Sequence, residues 1–140
     1  MLGLHCLKTW SSNQPVVALS SGEAEFYGMV KGSSNALGIK GTLDDMGVEV
    51  SIDVHTDSSA AKGIASRRGL GKVRHVELSE LWLQDQVAKG RIQVHKIGGD
   101  ENFADSFTKH SNHDRIAQTL YGTNQKVVRG RHPLMPEVAQ

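Results

Sequence analysis

Three carboxylates lie where one secondary-structure element is expected to give way to the next. Asp57 directly follows an alternating apolar stretch, and Asp105 comes shortly after a Gly-Gly turn. Glu25 lies in the first turns after Ser20-x-x-Glu23, which has the spacing of a helix-capping box. In open α/β sheets, ligands gather at the carboxyl ends of strands, and Asp57 lies at such an end. Three carboxylates that converge there would suit a hard cation such as Mg²⁺, which prefers oxygen ligands.

Each of these acids also has a purely structural interpretation. Asp57 could be the N-cap of the helix that follows it, and Asp105 could be favoured in a first turn by the helix dipole. Glu25 could be a solvated helix residue. Glu23 competes with Glu25, because residues two apart on a helix point to opposite sides and one metal site can hardly use both. If Glu23 closes the capping box, Glu25 is the acid that remains for a site.

The elements that would position these acids alternate between strands and helices. Two-residue alternation predicts three strands, which span residues 4–12, 48–57 and 91–97. Helical spacing and capping signals predict four helices, which run from the capping box to Gly47 and over 60–66, 73–88 and 103–120, the last one with a possible interruption at 111–112. This order predicts an α/β layered domain with at least partly parallel strands.

Glycines are expected to shape the first of these helices. Gly32, Gly38 and Gly41 weaken it, so we expect a kink or break before Leu43. Gly47 is placed to end the last turn, because glycine readily adopts the left-handed conformation found there.

Composition narrows the class of protein. The 140 residues suit one ordinary domain, and 16 Lys and Arg against 15 Asp and Glu exclude a polybasic binder. Any nucleic-acid contact must therefore come from a local patch. Cys6 is the single cysteine, which excludes an internal disulfide and favours a reducing, intracellular setting. No apolar run approaches the roughly 18–20 residues of a membrane span, so we expect no membrane partner.

Four local motifs occur in one order along the chain. They are LSSGEAEFYGMV at 19–30, VHTDSSAAKGIA at 54–65, VRHVELSELWLQDQV at 73–87 and ENFADSFTKH at 101–110. A further motif, Trp10-Ser11-Ser12, precedes them. Together they resemble the ribonuclease H domain that ends the polyprotein of copia-type retrotransposons, and the resemblance covers about residues 2–110.

This resemblance implies a ribonuclease H-like fold and an endonuclease that hydrolyses the RNA strand of RNA–DNA hybrids during reverse transcription. By motif match, the family's catalytic and metal-binding carboxylates fall on Glu25, Asp57 and Asp105. Two Mg²⁺ or Mn²⁺ ions, about 3.5–4 Å apart, would clamp the scissile phosphate. The hybrid would be recognised by its shape and its 2′-hydroxyl groups rather than by its sequence.

The candidate substrate-binding residues follow the strand that ends at Asp57. They are Ser58, Lys72, Arg74 and His75. The basic members belong to the best phosphate-contact patch in the sequence. Arg67 and Arg68 extend this patch. For these two residues, an equal alternative is that they simply belong to a solvated basic loop.

The chain departs from the family pattern at its start. Ribonucleases H carry a further aspartate on the first strand, and here that strand and most of the second are absent. We therefore expect an N-terminally truncated fold that is inactive alone. Residues 1–122 are expected to form a partial ribonuclease H-like domain, and residues 123–140 a polar, disordered tail.

Two rival functions use the same fold. One is a non-catalytic module that binds the hybrid or packs against a reverse transcriptase, and the other is a different nuclease, such as an exonuclease or an integrase core. The expected partners are an RNA–DNA hybrid and the reverse transcriptase domain of the same polyprotein. The expected location is intracellular, either in a cytoplasmic retroelement particle or in the nucleus.

Overall fold

The computed structural model describes residues 1–69, 71, 81–128 and 130, which combine helices with a small parallel sheet. In chain order the elements are α1 (Ser21–Asp45), β1 (Asp53–Thr56), α2 (Ser59–Ala65), α3 (Trp82–Ala88), β2 (Gln93–Lys96) and α4 (His113–Gly122). Two short 3₁₀ helices, Gly99–Glu101 and Phe103–Phe107, lie between β2 and α4. The mixture agrees with the predicted α/β class. In the described ranges, no helix has the length and hydropathy needed to cross a membrane.

The chain divides into two compact units. The central unit is Ser12–Asn102, and the terminal unit combines Met1–Ser11 with the residues from Phe103 onwards. The central unit contains α1, α2, α3 and both strands, whereas the terminal unit contains α4 and the second 3₁₀ helix. Glu25 and Asp57 therefore belong to the central unit, and Asp105 belongs to the terminal unit.

The sheet of the central unit consists of two parallel strands. β1 pairs with β2 in a register that places Asp53 beside Gln93 and Thr56 beside Lys96. Both strands lie inside the stretches predicted from alternation, and their parallel pairing is confirmed. They are shorter than predicted, since each strand has only four residues, although the carbonyl oxygen of Ile52 and the N–H of Ile97 extend the hydrogen bonding by one residue at either end.

Helix α1 supplies much of the core and runs without interruption for 25 residues. The predicted break before Leu43 is therefore wrong. Each helical glycine costs about 1 kcal/mol relative to alanine, but burial of one apolar face along the first half of the helix offsets that cost. The buried apolar side chains of the core are Phe26, Tyr27, Met29, Val30, Ile52, Ala61, Ile64, Ala65, Leu83 and Ile92.

The end of α1 follows the prediction. Gly47 has a φ of +77°, and its N–H donates to the carbonyl oxygen of Asp44 at 2.9 Å. This hydrogen bond satisfies a carbonyl group of the last turn, and the left-handed conformation carries little strain because glycine has no Cβ.

The strand predicted over residues 4–12 is wrong. The structure has only an isolated bridge between Leu2 and His5 in this segment. Of the apolar residues that alternate in this segment, Leu4 is 74% exposed and Trp10 is 41% exposed, so this face does not pack against a core. Alternation makes a segment suitable for a sheet, but a strand forms only where a neighbour supplies hydrogen-bonding partners.

The later helices agree with the sequence in part. The helix predicted over 60–66 corresponds to α2. Helix α3 forms the end of the helix predicted over 73–88, whose residues 73–80 lie outside the described part of the chain. The prediction of one last helix over 103–120 is confirmed only from His113 onwards. Its first part is the short 3₁₀ helix Phe103–Phe107, residues 108–112 are not helical, and Asn112 caps α4 by accepting a hydrogen bond from the N–H of Arg115 at 2.9 Å.

Candidate functional site

Asp57 lies between the end of β1 and the start of α2. The N-cap of α2 is Ser58, whose hydroxyl oxygen accepts a hydrogen bond from the N–H of Ala61 at 3.1 Å. The N–H of Ser58 in turn donates to the hydroxyl oxygen of Thr56 at 3.1 Å. The alternative that Asp57 is the N-cap is therefore wrong.

The carboxylate of Asp57 is available to a ligand. Asp57 is half-buried, and its carboxylate forms no hydrogen bond or ion pair with the residues that the structure describes. Gly99, which follows β2, is a close neighbour, since a Cβ at that position would lie 4.0 Å from Oδ2 of Asp57. A partly desolvated carboxylate beside a glycine backbone is a favourable place for a cation or for a hydrogen-bond donor of a ligand.

The start of α1 separates the two candidate acids of that helix. The hydroxyl oxygen of Ser20 accepts a hydrogen bond from the N–H of Glu23 at 3.2 Å, and the Glu23 carboxylate accepts one from the N–H of Leu19 at 2.9 Å. Glu23 is 5% exposed, whereas Glu25 is exposed. The predicted capping spacing is confirmed, with the glutamate bonding one residue further back than in the standard motif. Glu23 therefore belongs to the cap, and Glu25 is the acid that faces solvent.

This difference predicts unequal effects of two neighbouring substitutions. Glu23→Ala removes a buried capping carboxylate, so we expect it to lower the free energy of unfolding by about 1–2 kcal/mol. Glu25→Ala alters an exposed helix position and is expected to change that free energy by less than about 0.5 kcal/mol. Urea denaturation of both variants measures the difference. Equal losses would contradict the assignment of the two acids.

A close helix–helix contact brings the starts of α1 and α2 together. A Cβ at Gly22 would lie 2.6 Å from the Cβ of Ala60, so the two backbones approach as closely as a glycine allows. Glu25 follows Gly22 by three residues on α1, and Asp57 precedes Ala60 by three residues. The contact therefore draws together the segments that carry Glu25 and Asp57.

Asp105 lies in the 3₁₀ helix of the terminal unit. Its carboxylate, 23% exposed, accepts from Nζ of Lys109 at 2.7 Å, so the lysine of the ADSFTK motif pairs with the aspartate of the same motif. Phe103 and Ser106 attach this turn to α4. The Phe103 ring packs against Gly122, and the hydroxyl groups of Ser106 and Thr119 share a hydrogen bond of 2.6 Å.

The three predicted ligands are carboxylates, which are of the chemical type that a hard divalent cation binds. Carboxylate oxygen is the ligand that Mg²⁺ prefers, and the carboxylate of Asp57 could supply it. The part of the chain that the structure describes contains no group of three or more His, Cys, Asp or Glu side chains arranged to hold a metal ion. The joint assignment of Glu25, Asp57 and Asp105 therefore stays a prediction.

Of the four predicted substrate-binding residues, the structure describes only Ser58. Ser58 has a structural duty as the N-cap of α2, and whether it also contacts substrate stays a prediction. Lys72, Arg74 and His75 lie outside the described residues.

Two residues that position this region carry little signal in the sequence. Gly22 occupies the variable position of the SSGEAE motif, and the need for glycine there depends on Ala60, which lies 38 positions away. Gln84 is 6% exposed and forms hydrogen bonds with the backbone of Ile64 in α2 and of Gly69 beyond it, yet in the sequence it is one polar residue inside a predicted helix. In both cases the partner is distant along the chain.

Comparison with known proteins gives one partial similarity. The chain is 28% identical over 104 residues to the retrovirus-related Pol polyprotein from transposon TNT 1-94 of Nicotiana tabacum. The matched region is 72% of this chain and 8% of that polyprotein, so the chain spans a small part of its relative. No family model matches, and no solved structure matches. The similarity supports a relationship to retrotransposon Pol polyproteins without indicating which Pol domain the chain represents.

Proposed function

We propose that this chain is part of the ribonuclease H-like module of a retrotransposon Pol polyprotein, which hydrolyses the RNA strand of RNA–DNA hybrids. The similarity to a Pol polyprotein supports the general relationship. The order of the motifs around Glu25, Asp57 and Asp105 supports the choice of domain. The observation that carries the proposal is that Ser58 caps α2, so the half-buried carboxylate of Asp57 at the end of β1 has no capping role.

In this proposal the three carboxylates hold divalent cations and position the substrate phosphate. Bound Mg²⁺ or Mn²⁺ supplies charge stabilisation at the scissile phosphate and an activated water. Asp57 supplies a ligand from the end of β1, and Glu25 supplies one from the solvent-facing side of α1. Asp105 is the third carboxylate of the motif set, and in the structure it forms an ion pair with Lys109.

The substrate and the partners follow from the same proposal. An RNA–DNA hybrid would be recognised through its minor groove and its 2′-hydroxyl groups, with Ser58, Lys72, Arg74 and His75 as contacts. The reverse transcriptase domain of the same polyprotein would supply the hybrid. The site of action would be intracellular, in a retroelement particle or in the nucleus.

Binding and cleavage of labelled duplexes test this function. We expect the 140-residue chain to bind an RNA–DNA hybrid more tightly than a DNA duplex of the same sequence, and Mg²⁺ or Mn²⁺ to strengthen hybrid binding. Fluorescence anisotropy at fixed salt measures both effects, because salt alone changes such affinities strongly. Equal affinity for the two duplexes would overturn the proposal.

A cleavage assay separates the nuclease from a binding module. Hydrolysis of the RNA strand by the purified chain, lost in Glu25→Gln, would support the enzyme and would contradict the expectation that the chain is inactive alone. Hybrid-specific binding that does not respond to divalent cations would instead support the non-catalytic module.

A further inference from the structure

The side-chain amide of Gln84 forms hydrogen bonds with the main chain of the loop that follows α2, at residues 66–69. Its Nε2 donates to the carbonyl oxygen of Ile64 at 2.8 Å and to that of Gly69 at 3.1 Å. Its Oε1 accepts from the N–H of Gly69 at 2.8 Å. The amide thus uses both of its donors and an acceptor on main-chain groups, and Gln84 is 6% exposed.

These hydrogen bonds connect the main chain of Gly69 to α3. A buried amide costs free energy unless it is hydrogen-bonded, and removing it would leave main-chain groups of Ile64 and Gly69 without partners. Gly69 has a φ of +78°, and a Cβ at Gly71 would lie 2.7 Å from Cζ of Arg67. The guanidinium group of Arg67 therefore packs on the Gly71 backbone.

The sequence around this loop is rich in basic residues. Residues 58–76 contain no Asp or Glu, although the whole chain has a net charge of only +1. The basic residues of this stretch are Lys62, Arg67, Arg68, Lys72 and Arg74. Arg68 is exposed and forms no hydrogen bond or ion pair with another described residue.

We propose that Gln84 is a positioning residue for a phosphate-binding loop, and that Arg68 contacts the backbone phosphates of the nucleic acid. This inference rests on the proposed function, because that function supplies the polyanionic ligand. Arginine suits the task because its planar guanidinium group can donate two hydrogen bonds to one phosphate. A loop held in place by Gln84 loses less conformational entropy when it binds.

Nucleic-acid binding over a salt series tests the loop. We expect Arg68→Gln to weaken binding of an RNA–DNA hybrid about three- to tenfold and to reduce the slope of log affinity against log salt by about 1. Gln84→Met, which keeps the side-chain volume but removes its hydrogen bonds, is expected to produce a similar loss. In the Gln84→Met background, Arg68→Gln should add little, because the loop is already displaced.

Matched variants control for general effects. Gln86→Met alters a neighbouring glutamine of α3, and Arg91→Gln removes an exposed charge outside the loop; both should leave the salt slope unchanged. If Gln84→Met fails to fold, Gln84→Glu, which keeps the acceptor for the Gly69 N–H and loses both donors, takes its place. Circular dichroism establishes that each variant is folded.

The outcomes separate this inference from the proposed function. An unchanged salt slope in Arg68→Gln would overturn the phosphate contact even if the chain prefers the hybrid. Additive losses in the double variant would overturn the positioning role of Gln84. Equal binding of hybrid and DNA duplex, with both still sensitive to Arg68→Gln, would uphold the loop as a phosphate site and overturn the proposed function.

Discussion

Gly22→Ala is expected to lower the free energy of unfolding by about 1–3 kcal/mol, since the added methyl group overpacks the contact between α1 and α2. The new Cβ would lie 2.6 Å from the Cβ of Ala60. Neither atom belongs to a flexible side chain, so the clash can be relieved only by moving one helix. Urea denaturation of the two proteins measures the loss.

Two further variants make this prediction specific. Gly28 lies on the same helix with no atom within 4 Å of its would-be Cβ, so Gly28→Ala should raise the free energy of unfolding by about 0.5–1 kcal/mol. Ala60→Gly combined with Gly22→Ala should restore part of the lost stability, because it removes the opposing methyl group. A Gly22→Ala protein as stable as Gly28→Ala would show that the two helices do not approach this closely.

Asp57→Asn is expected to abolish most of the stabilisation that divalent cations give to the chain. A ligand that binds the folded state stabilises it by RT ln(1 + [L]/Kd), which is about 2.7 kcal/mol at 100 times Kd. Asparagine has nearly the same size but carries no charge, so we expect the affinity for Mn²⁺ to fall by at least about tenfold. Thermal melts over a series of Mn²⁺ concentrations measure the change.

Asp53→Asn is the matched control for this experiment. Asp53 is the first residue of β1, the strand that Asp57 follows; it is exposed, and its carboxylate forms a hydrogen bond with Nε2 of His95 at 2.9 Å. We expect the Asp53→Asn protein to keep the response to Mn²⁺. An equal loss in both variants, or a wild-type chain that Mn²⁺ does not stabilise, would contradict the role given to Asp57.

Local patterns predicted the elements that carry these residues. Alternation placed both strands, and the Ser20–Glu23 spacing placed the start of α1, because both signals depend on residues close together in the chain. The same kind of signal failed at residues 4–12, where the alternating residues are exposed and lack a neighbouring strand. It also failed in α1, where burial of residues such as Phe26 outweighs the helix-weakening glycines.

The candidate site shows the same limit. The motifs alone indicated Glu25, Asp57 and Asp105, but they could not decide whether Asp57 or Ser58 caps α2. That choice depends on the backbone geometry at the end of β1, where the Ser58 hydroxyl reaches the Ala61 N–H. The grouping of the three acids remains a prediction.

The sequence by itself determined the α/β character, the cap of α1, the parallel strand segments and the order of the acidic motifs, because each arises from periodicity or from contacts within a few residues. Only the tertiary structure decided that Gly22 must be small and that Gln84 fastens the loop at Gly69. Those requirements come from partners 38 and 15 residues away in the chain. Folding brings such residues together through burial of the core, and no local pattern records which distant residue will be the neighbour.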